Sequence, residues 1–140
     1  MTVIAMSLAS VLCFLSIVHL YWTVRGVGIG AAVPTQTNGT PVFRPGRASA
    51  FLVAAALLLA AAIVLARAGV ISVGFPGAVI HIGIWGVAVT FVARTVGEFR
   101  YVGLFKRVRG TPFARWDSML FTPLCAIMSI AAVLVAIFAE

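Results

Sequence analysis

Four long apolar stretches alternate with polar connections along the chain. They run from Val3 to Val24, from Ala48 to Ala66, from about Pro76 to Ala93 and from Ser118 to Ala139. A helix rises 1.5 Å per residue, so about 20 apolar residues cross the hydrocarbon core of a bilayer. Each stretch is close to that length. The pattern predicts an all-α polytopic membrane protein, a four-transmembrane-helix bundle formed as one domain over residues 1–140. The first stretch reads as a helix rather than a cleaved leader. No basic segment precedes it, and His19-Leu20-Tyr21-Trp22 follows it where a leader would have small residues.

Polar and small positions within the stretches suggest which faces meet. Ser16, His19 and Thr23 share one face of helix one, and Trp22 joins it. Polar groups at this depth turn toward other helices or a water-lined cavity. Tyr21 and Trp22 also suit the interfacial aromatic belt. Ala56 and Ala60 give helix two a small-x-x-x-small spacing, and Gly83, Gly86, Thr90 and Gly97 form a comparable stripe on helix three. His81 and Trp85 read as an interfacial pair on helix three. Cys125, Ser129, Ala132 and Ala136 form the small face of helix four.

The connections carry further signals. Residues 25–48 are long for a connection and rich in Gly, Pro and Thr, a lid or a linker, and Asn38-Gly39 suits a small hairpin between Thr35 and Phe43. Beyond helix three, Phe99, Val102 and Phe105 alternate with basic positions. This predicts an amphipathic cytoplasmic extension of that helix as far as Gly110, with Arg94 and Glu98 paired at i and i+4. Thr111-Pro112 is a helix-start signal, and Pro123, which lacks an N–H, predicts a kink.

Composition agrees with a membrane solvent. The chain is 63% hydrophobic and 9% charged, against roughly 25% charged for a soluble domain. Charge sets an orientation. Arg25, Arg44, Arg47, Arg94, Arg100, Lys106, Arg107, Arg109 and Arg115 fall in the first and third connections, and Arg67 alone falls on the opposite side. The positive-inside rule then places loops one and three in the cytoplasm and both termini outside. The net charge of +7 resides in these loops. Membrane lipids with anionic headgroups are the expected partners, not nucleic acid. The small-residue faces permit a homo-oligomer without requiring one.

Candidate chemistry is sparse. Cys13 and Cys125 lie in apolar runs with no C-x-x-C and no zinc spacing, so no metal site is expected. His19 and His81 would lie roughly 20 Å apart along the membrane normal, which argues against haem, and no cofactor is expected. Gly26-x-Gly28-x-x-Ala31 imitates a dinucleotide fingerprint but follows a membrane helix rather than a strand. Asn38-Gly39-Thr40 matches a glycosylation acceptor but falls on the cytoplasmic side.

The polar residues gather at one mouth of the bundle: Ser16, His19, Tyr21, Trp22 and Arg25 from helix one, Arg94, Glu98 and Arg100 around helix three, and Arg115 and Asp117 from helix four. These are the candidate ligand-binding residues, and His19, Glu98 and Asp117 the candidate catalytic ones. The leading expectation is a small membrane protein that binds a lipid or partner at this mouth. A second is an isomerase-like intramembrane enzyme acting on a lipid or isoprenoid. Glu98 would then be its acid/base, His19 the partner of Glu98, and Tyr21 and Trp22 would stabilise a developing cation. A third is a transporter subunit, disfavoured because Glu98 and Asp117 sit at the membrane edge. The plainest alternative is that these two acids neutralise arginines and lock helix ends together.

His19-x-Tyr21-Trp22, Ala32-Val33-Pro34, Gly97-Glu98-Phe99-Arg100, Phe105-Lys106, Phe113-Ala114-Arg115-x-Asp117 and Pro123-Leu124 together resemble a family of small bacterial four-helix membrane proteins, frequent in actinobacteria and known as a domain of unknown function. The resemblance spans nearly the whole chain and is more specific in its second half. It implies the four-span fold and a bacterial plasma membrane. It implies no activity and carries no catalytic residue across.

Overall fold

The structure, a computed structural model, describes residues 1–27 and 32–139. Gly28 and Ala31 of the fingerprint-like segment, and Glu140, lie outside the described residues. Four helices account for most of the remainder: α1 (Thr2–Arg25), α2 (Arg47–Arg67), α3 (Gly77–Val96) and α4 (Pro112–Phe138). Each is long and apolar enough to cross a membrane. α4 is α-helical over Pro112–Trp116, makes a π-helical turn over Asp117–Phe121 and resumes as α-helix over Thr122–Phe138. The departure expected at Pro123 therefore takes the form of a wider turn. Pro123 has no N–H to give, and the Thr122 N–H reaches back five residues to the Asp117 carbonyl.

α1 packs chiefly on α2, and α3 chiefly on α4. Contacts between α2 and α3 and between α1 and α4 close the bundle, whereas α1 and α3 share none and stand across it. The core is assembled from Leu8 and Leu12 of α1, Val64 of α2, Ile84 of α3 and Met128 and Val135 of α4, all buried. Phe14, Ile17, Leu58, Leu59, Ile82, Ile127 and Ile130 are exposed on the outside. In water that surface would be costly; in lipid it meets its own kind, and helix association rests on close packing instead.

The packed faces differ in part from those expected. On α2, Ala56 is exposed and Ala60 half-buried, and the contact face is Ala50, Ala54, Ala61 and Val64. The Ser16 hydroxyl crosses from α1 to donate to the Ala54 carbonyl at 2.8 Å. On α3, Gly86 and Thr90 are exposed, and the Thr90 hydroxyl donates to the Gly86 carbonyl. The packed face there is Ile84, Val87, Ala88 and Thr95, with Gly83 against Ile63. The physical reason lies in the composition. Alanine pairs four apart recur along α2, at Ala50 and Ala54, Ala56 and Ala60, and Ala62 and Ala66, so spacing alone cannot select one. On α4 the expectation holds for Ser129, Ala132 and Ala136, which are buried, with Cys125 half-buried.

The amphipathic extension of α3 does not form. α3 ends at Val96, and Gly97 closes it at φ 82° and ψ −175°, backbone that only glycine adopts readily. Residues 98–110 fold into a compact irregular loop, here loop three. The Leu104 N–H donates back to the Thr95 carbonyl at 2.9 Å, which brings Gly103 against Gly97. A Cβ on Gly97 would run into the Val102 carbonyl, and one on Gly103 would stand 2.5 Å from the Val96 carbonyl oxygen. The alternation of Phe99, Val102 and Phe105 is therefore a loop pattern, not a helical face. Loop one does contain the expected turn: Thr35 pairs with Pro41, the Gln36 N–H donates to the Thr40 carbonyl, and the Asn38 side chain accepts from Thr40. Val33, Pro34 and Thr35 are buried, so this part of loop one packs down rather than trailing as a linker.

These contacts give a direct comparison. Ala54→Leu should destabilise the protein by about 1–3 kcal/mol through overpacking of the α1–α2 contact, whereas Ala56→Leu should be neutral. Thermal unfolding in detergent checks both.

Candidate functional site

The start of α4 is set by its own sequence. Thr111 caps it, its hydroxyl accepting from the Ala114 N–H at 3.1 Å, and Pro112 occupies the first turn. One turn later comes Asp117, whose side chain has no exposed surface. Its carboxylate is filled by four donors from three parts of the chain. Oδ1 accepts from Arg94 Nη2 of α3 at 2.7 Å. Oδ2 accepts from Lys106 Nζ at 3.0 Å, from the Gly103 N–H at 3.0 Å and from the Thr122 hydroxyl at 3.1 Å. Lys106 is itself buried, and its ammonium also donates to the Gly103 carbonyl at 3.1 Å.

This cluster ties α3, loop three and α4 to one point. A buried carboxylate costs several kcal/mol to desolvate unless cations and hydrogen bonds replace its water. Here two cations and two neutral donors do so. The glycine contact at Gly97 and Gly103 belongs to the same construction, because it brings the Gly103 N–H within reach of Asp117.

The expected site residues separate into groups. Arg94 and Asp117 meet as an ion pair, as their sequence placement at one mouth suggested. Glu98 does not join them and does not pair with Arg94. Its carboxylate accepts from the backbone N–H groups of Tyr101 and Val102, capping the turn that follows α3. Helix termination at Gly97 moves Glu98 off the helical face that an i, i+4 pair requires. Ser16 is committed to the α1–α2 contact. His19 Nδ1 lies 2.8 Å from the Leu15 carbonyl oxygen, and its ring meets Trp22 edge-on with centroids 4.9 Å apart. Thr23 donates to the His19 carbonyl. His19, Trp22 and Thr23 thus make these contacts within α1, and α1 stands across the bundle from α3. His19 and Glu98 are not brought together among the described residues. Tyr21, Arg25 and Arg115 are exposed, and the exposed Arg100 guanidinium lies 5.2 Å from the Tyr101 ring centroid.

Sequence reasoning left Lys106, Gly103 and Thr122 out of the site. Lys106 is the only lysine beside nine arginines, a departure that could have singled it out. Thr122, five residues from Asp117, becomes its neighbour across the π-turn, a spacing that an α-helical reading passes over.

Two surface hollows border loop three. One, of about 140 Å³, is lined by Leu104, Lys106, Arg109, Ser118, Thr122, Pro123 and Ala126. The other, of about 340 Å³, is lined by Glu98, Phe99, Arg100, Arg107 and Val108. Among the described residues no group of His, Cys, Asp and Glu has the arrangement of a metal site.

Asp117→Asn should cost about 3–5 kcal/mol, since it leaves Lys106 buried without its counter-charge. Glu98→Gln keeps an acceptor oxygen for the Tyr101 and Val102 amides and should cost well under half of that. Thermal unfolding of the two variants in one detergent gives the comparison.

No curated protein and no solved structure matches the chain. A family described as a protein of unknown function (DUF3995) matches residues 12–132. That match takes in most of α1, all of α2 and α3, loop three and α4 as far as Ala132, and the chain belongs to this family of unknown function.

Proposed function

We propose that this protein is a non-catalytic membrane component that engages anionic lipid headgroups through loop three, on the cytoplasmic face of a bacterial plasma membrane. The observation that carries this reading is the build of loop three. The buried Asp117 cluster holds it in one shape, and its outer surface combines exposed Phe99, Leu104 and Phe105 with exposed Arg100, Arg107 and Arg109. Apolar side chains that enter the acyl boundary, ringed by arginines at headgroup level, are the makings of an anionic-leaflet contact. Arg25, Arg44 and Arg47, at the other connection on the same side, add to that face.

The enzymatic reading asks for a free carboxylate beside His19. Both candidate carboxylates are engaged elsewhere, Asp117 with its four donors and Glu98 with two backbone amides. Transport asks for an acid free to change partners in mid-membrane, and Asp117 is fixed near one end of α4.

The test is the composition of lipid that co-purifies with the protein from mixed membranes, read by native mass spectrometry and lipidomics. Anionic lipid should be enriched over the bulk membrane. Arg100→Gln with Arg107→Gln should reduce that enrichment at least twofold, and His19→Ala should leave it unchanged. Bulk composition around the wild type would overturn the proposal. For orientation, a reporter inserted at Asn38 should read as cytoplasmic and one at Ser72 as external; the reverse would overturn the placement of loop three.

A further inference from the structure

We propose that the smaller hollow beside the Asp117 cluster is a binding site for one anionic phospholipid, with its phosphate at Lys106, Arg109 and Ser118 and an acyl chain along α4 past Pro123 and Ala126. The inference deepens the reading of loop three as a headgroup-binding surface and rests on it.

The lining of the hollow combines polar and apolar side chains. Lys106, Arg109, Ser118 and Thr122 supply the polar ones, and Leu104, Pro123 and Ala126 the apolar ones. From Ser118 to Ala126 the helix advances roughly 12 Å at 1.5 Å per residue, from the start of α4 into its apolar length. The change along α4 from Ser118 and Thr122 to Pro123 and Ala126 matches an amphiphile lying along a membrane helix. At about 140 Å³ the hollow holds the volume of a few water molecules, enough for a headgroup phosphate and not for a chain. The chain would lie outside it, on the exposed surface of α4, where Pro123 and Ile127 face outward.

The charge and the donors also fit an anion. Arg94 and Lys106 both pair with a single carboxylate, Asp117, and Arg109 is bonded to the Lys106 carbonyl, so the cluster and its neighbour keep a positive excess. Lys106 Nζ gives two of its three N–H groups to Asp117 and to the Gly103 carbonyl. Arg109 gives its Nε–H to the Lys106 carbonyl at 3.2 Å, a bond that orients the guanidinium beside the hollow. Among the described residues its terminal nitrogens and the Ser118 hydroxyl make no other bond, which leaves donors suited to a phosphodiester. The π-turn brings Ser118 and Thr122 to the same hollow, with the Thr122 hydroxyl turned to Asp117.

The experiment is a native mass spectrometry titration of the delipidated protein in detergent, with phosphatidylglycerol, phosphatidylcholine, glycerol 3-phosphate and inorganic phosphate as separate probes. One phosphatidylglycerol should bind ahead of all others, at least tenfold more tightly than phosphatidylcholine. Arg109→Gln and, independently, Ala126→Phe should each weaken that first event at least fivefold while leaving the thermal unfolding midpoint near the wild type. Arg100→Gln should leave the first event unchanged and act only on later ones. A first binding event indifferent to both Arg109→Gln and Ala126→Phe overturns the site; if Arg100→Gln with Arg107→Gln still lowers anionic enrichment, the broader reading of loop three survives that loss. Inorganic phosphate or glycerol 3-phosphate competing as well as the lipid would overturn the lipid assignment in favour of a soluble phosphate ligand.

Discussion

A carboxylate without exposed surface at the head of a membrane helix is stable only if its charge is met, and how Asp117 is met decides the shape of one end of this protein. Arg94 reaches it from α3, Lys106 and the Gly103 amide from loop three, and Thr122 from the next turn of its own helix. The donors from α3 and from loop three thereby fix both segments to the head of α4. Pairs at an exposed surface add little stability. Here Asp117 and Lys106 are both buried, and losing either partner strands a charge in a poor solvent. The constraint therefore acts as a joint rather than as decoration.

The rest of the bundle is compatible with that joint but does not build it. The apolar helices close on small residues and on Leu12, Ile84 and Met128, and their outer faces require lipid. Such packing sets distances between helices while saying little about the connections. Loop three is different because several of its backbone donors are assigned. Leu104 bonds to Thr95, Tyr101 and Val102 to Glu98, and Gly103 to Asp117. A loop ordered in this way can hold Phe99, Leu104 and Phe105 outward beside arginines without collapsing them onto the bundle.

The four spans were legible because about twenty apolar residues in a row admit few other structures. The start of α4 at Thr111-Pro112 was legible for a local reason, a cap and a proline that act within one turn. Helix faces were less so. The alanines of α2 and the glycines of α3 offer several equivalent stripes, and tertiary contact chose Ala54 and Ala61 over Ala56. The expected extension of α3 failed for the opposite reason. Its apolar alternation was genuine, but Gly97 and Gly103 approach too closely for any side chain, a contact that no helical spacing announces. At the mouth, proximity in depth was mistaken for proximity in space: His19 is on α1, Glu98 is in the loop that follows α3, and α1 and α3 stand across the bundle from each other. Arg94 and Asp117 were placed at one mouth because charge is rare in this chain, but Arg94 was matched there with Glu98 and pairs instead with Asp117. Lys106 and Thr122 were missed because a folded loop and a π-turn bring them in.

Hydrogen–deuterium exchange of the loop-three amides in detergent, compared between the wild type and Asp117→Asn, tests the joint most directly. If the Asp117 carboxylate holds loop three, the amides from Tyr101 to Leu104 are protected in the wild type. In the variant they exchange at least tenfold faster, while the core amides of α1 and α2 are unchanged. Loop-three amides that exchange at the free-peptide rate in the wild type, or that keep their protection without the carboxylate, would contradict the account.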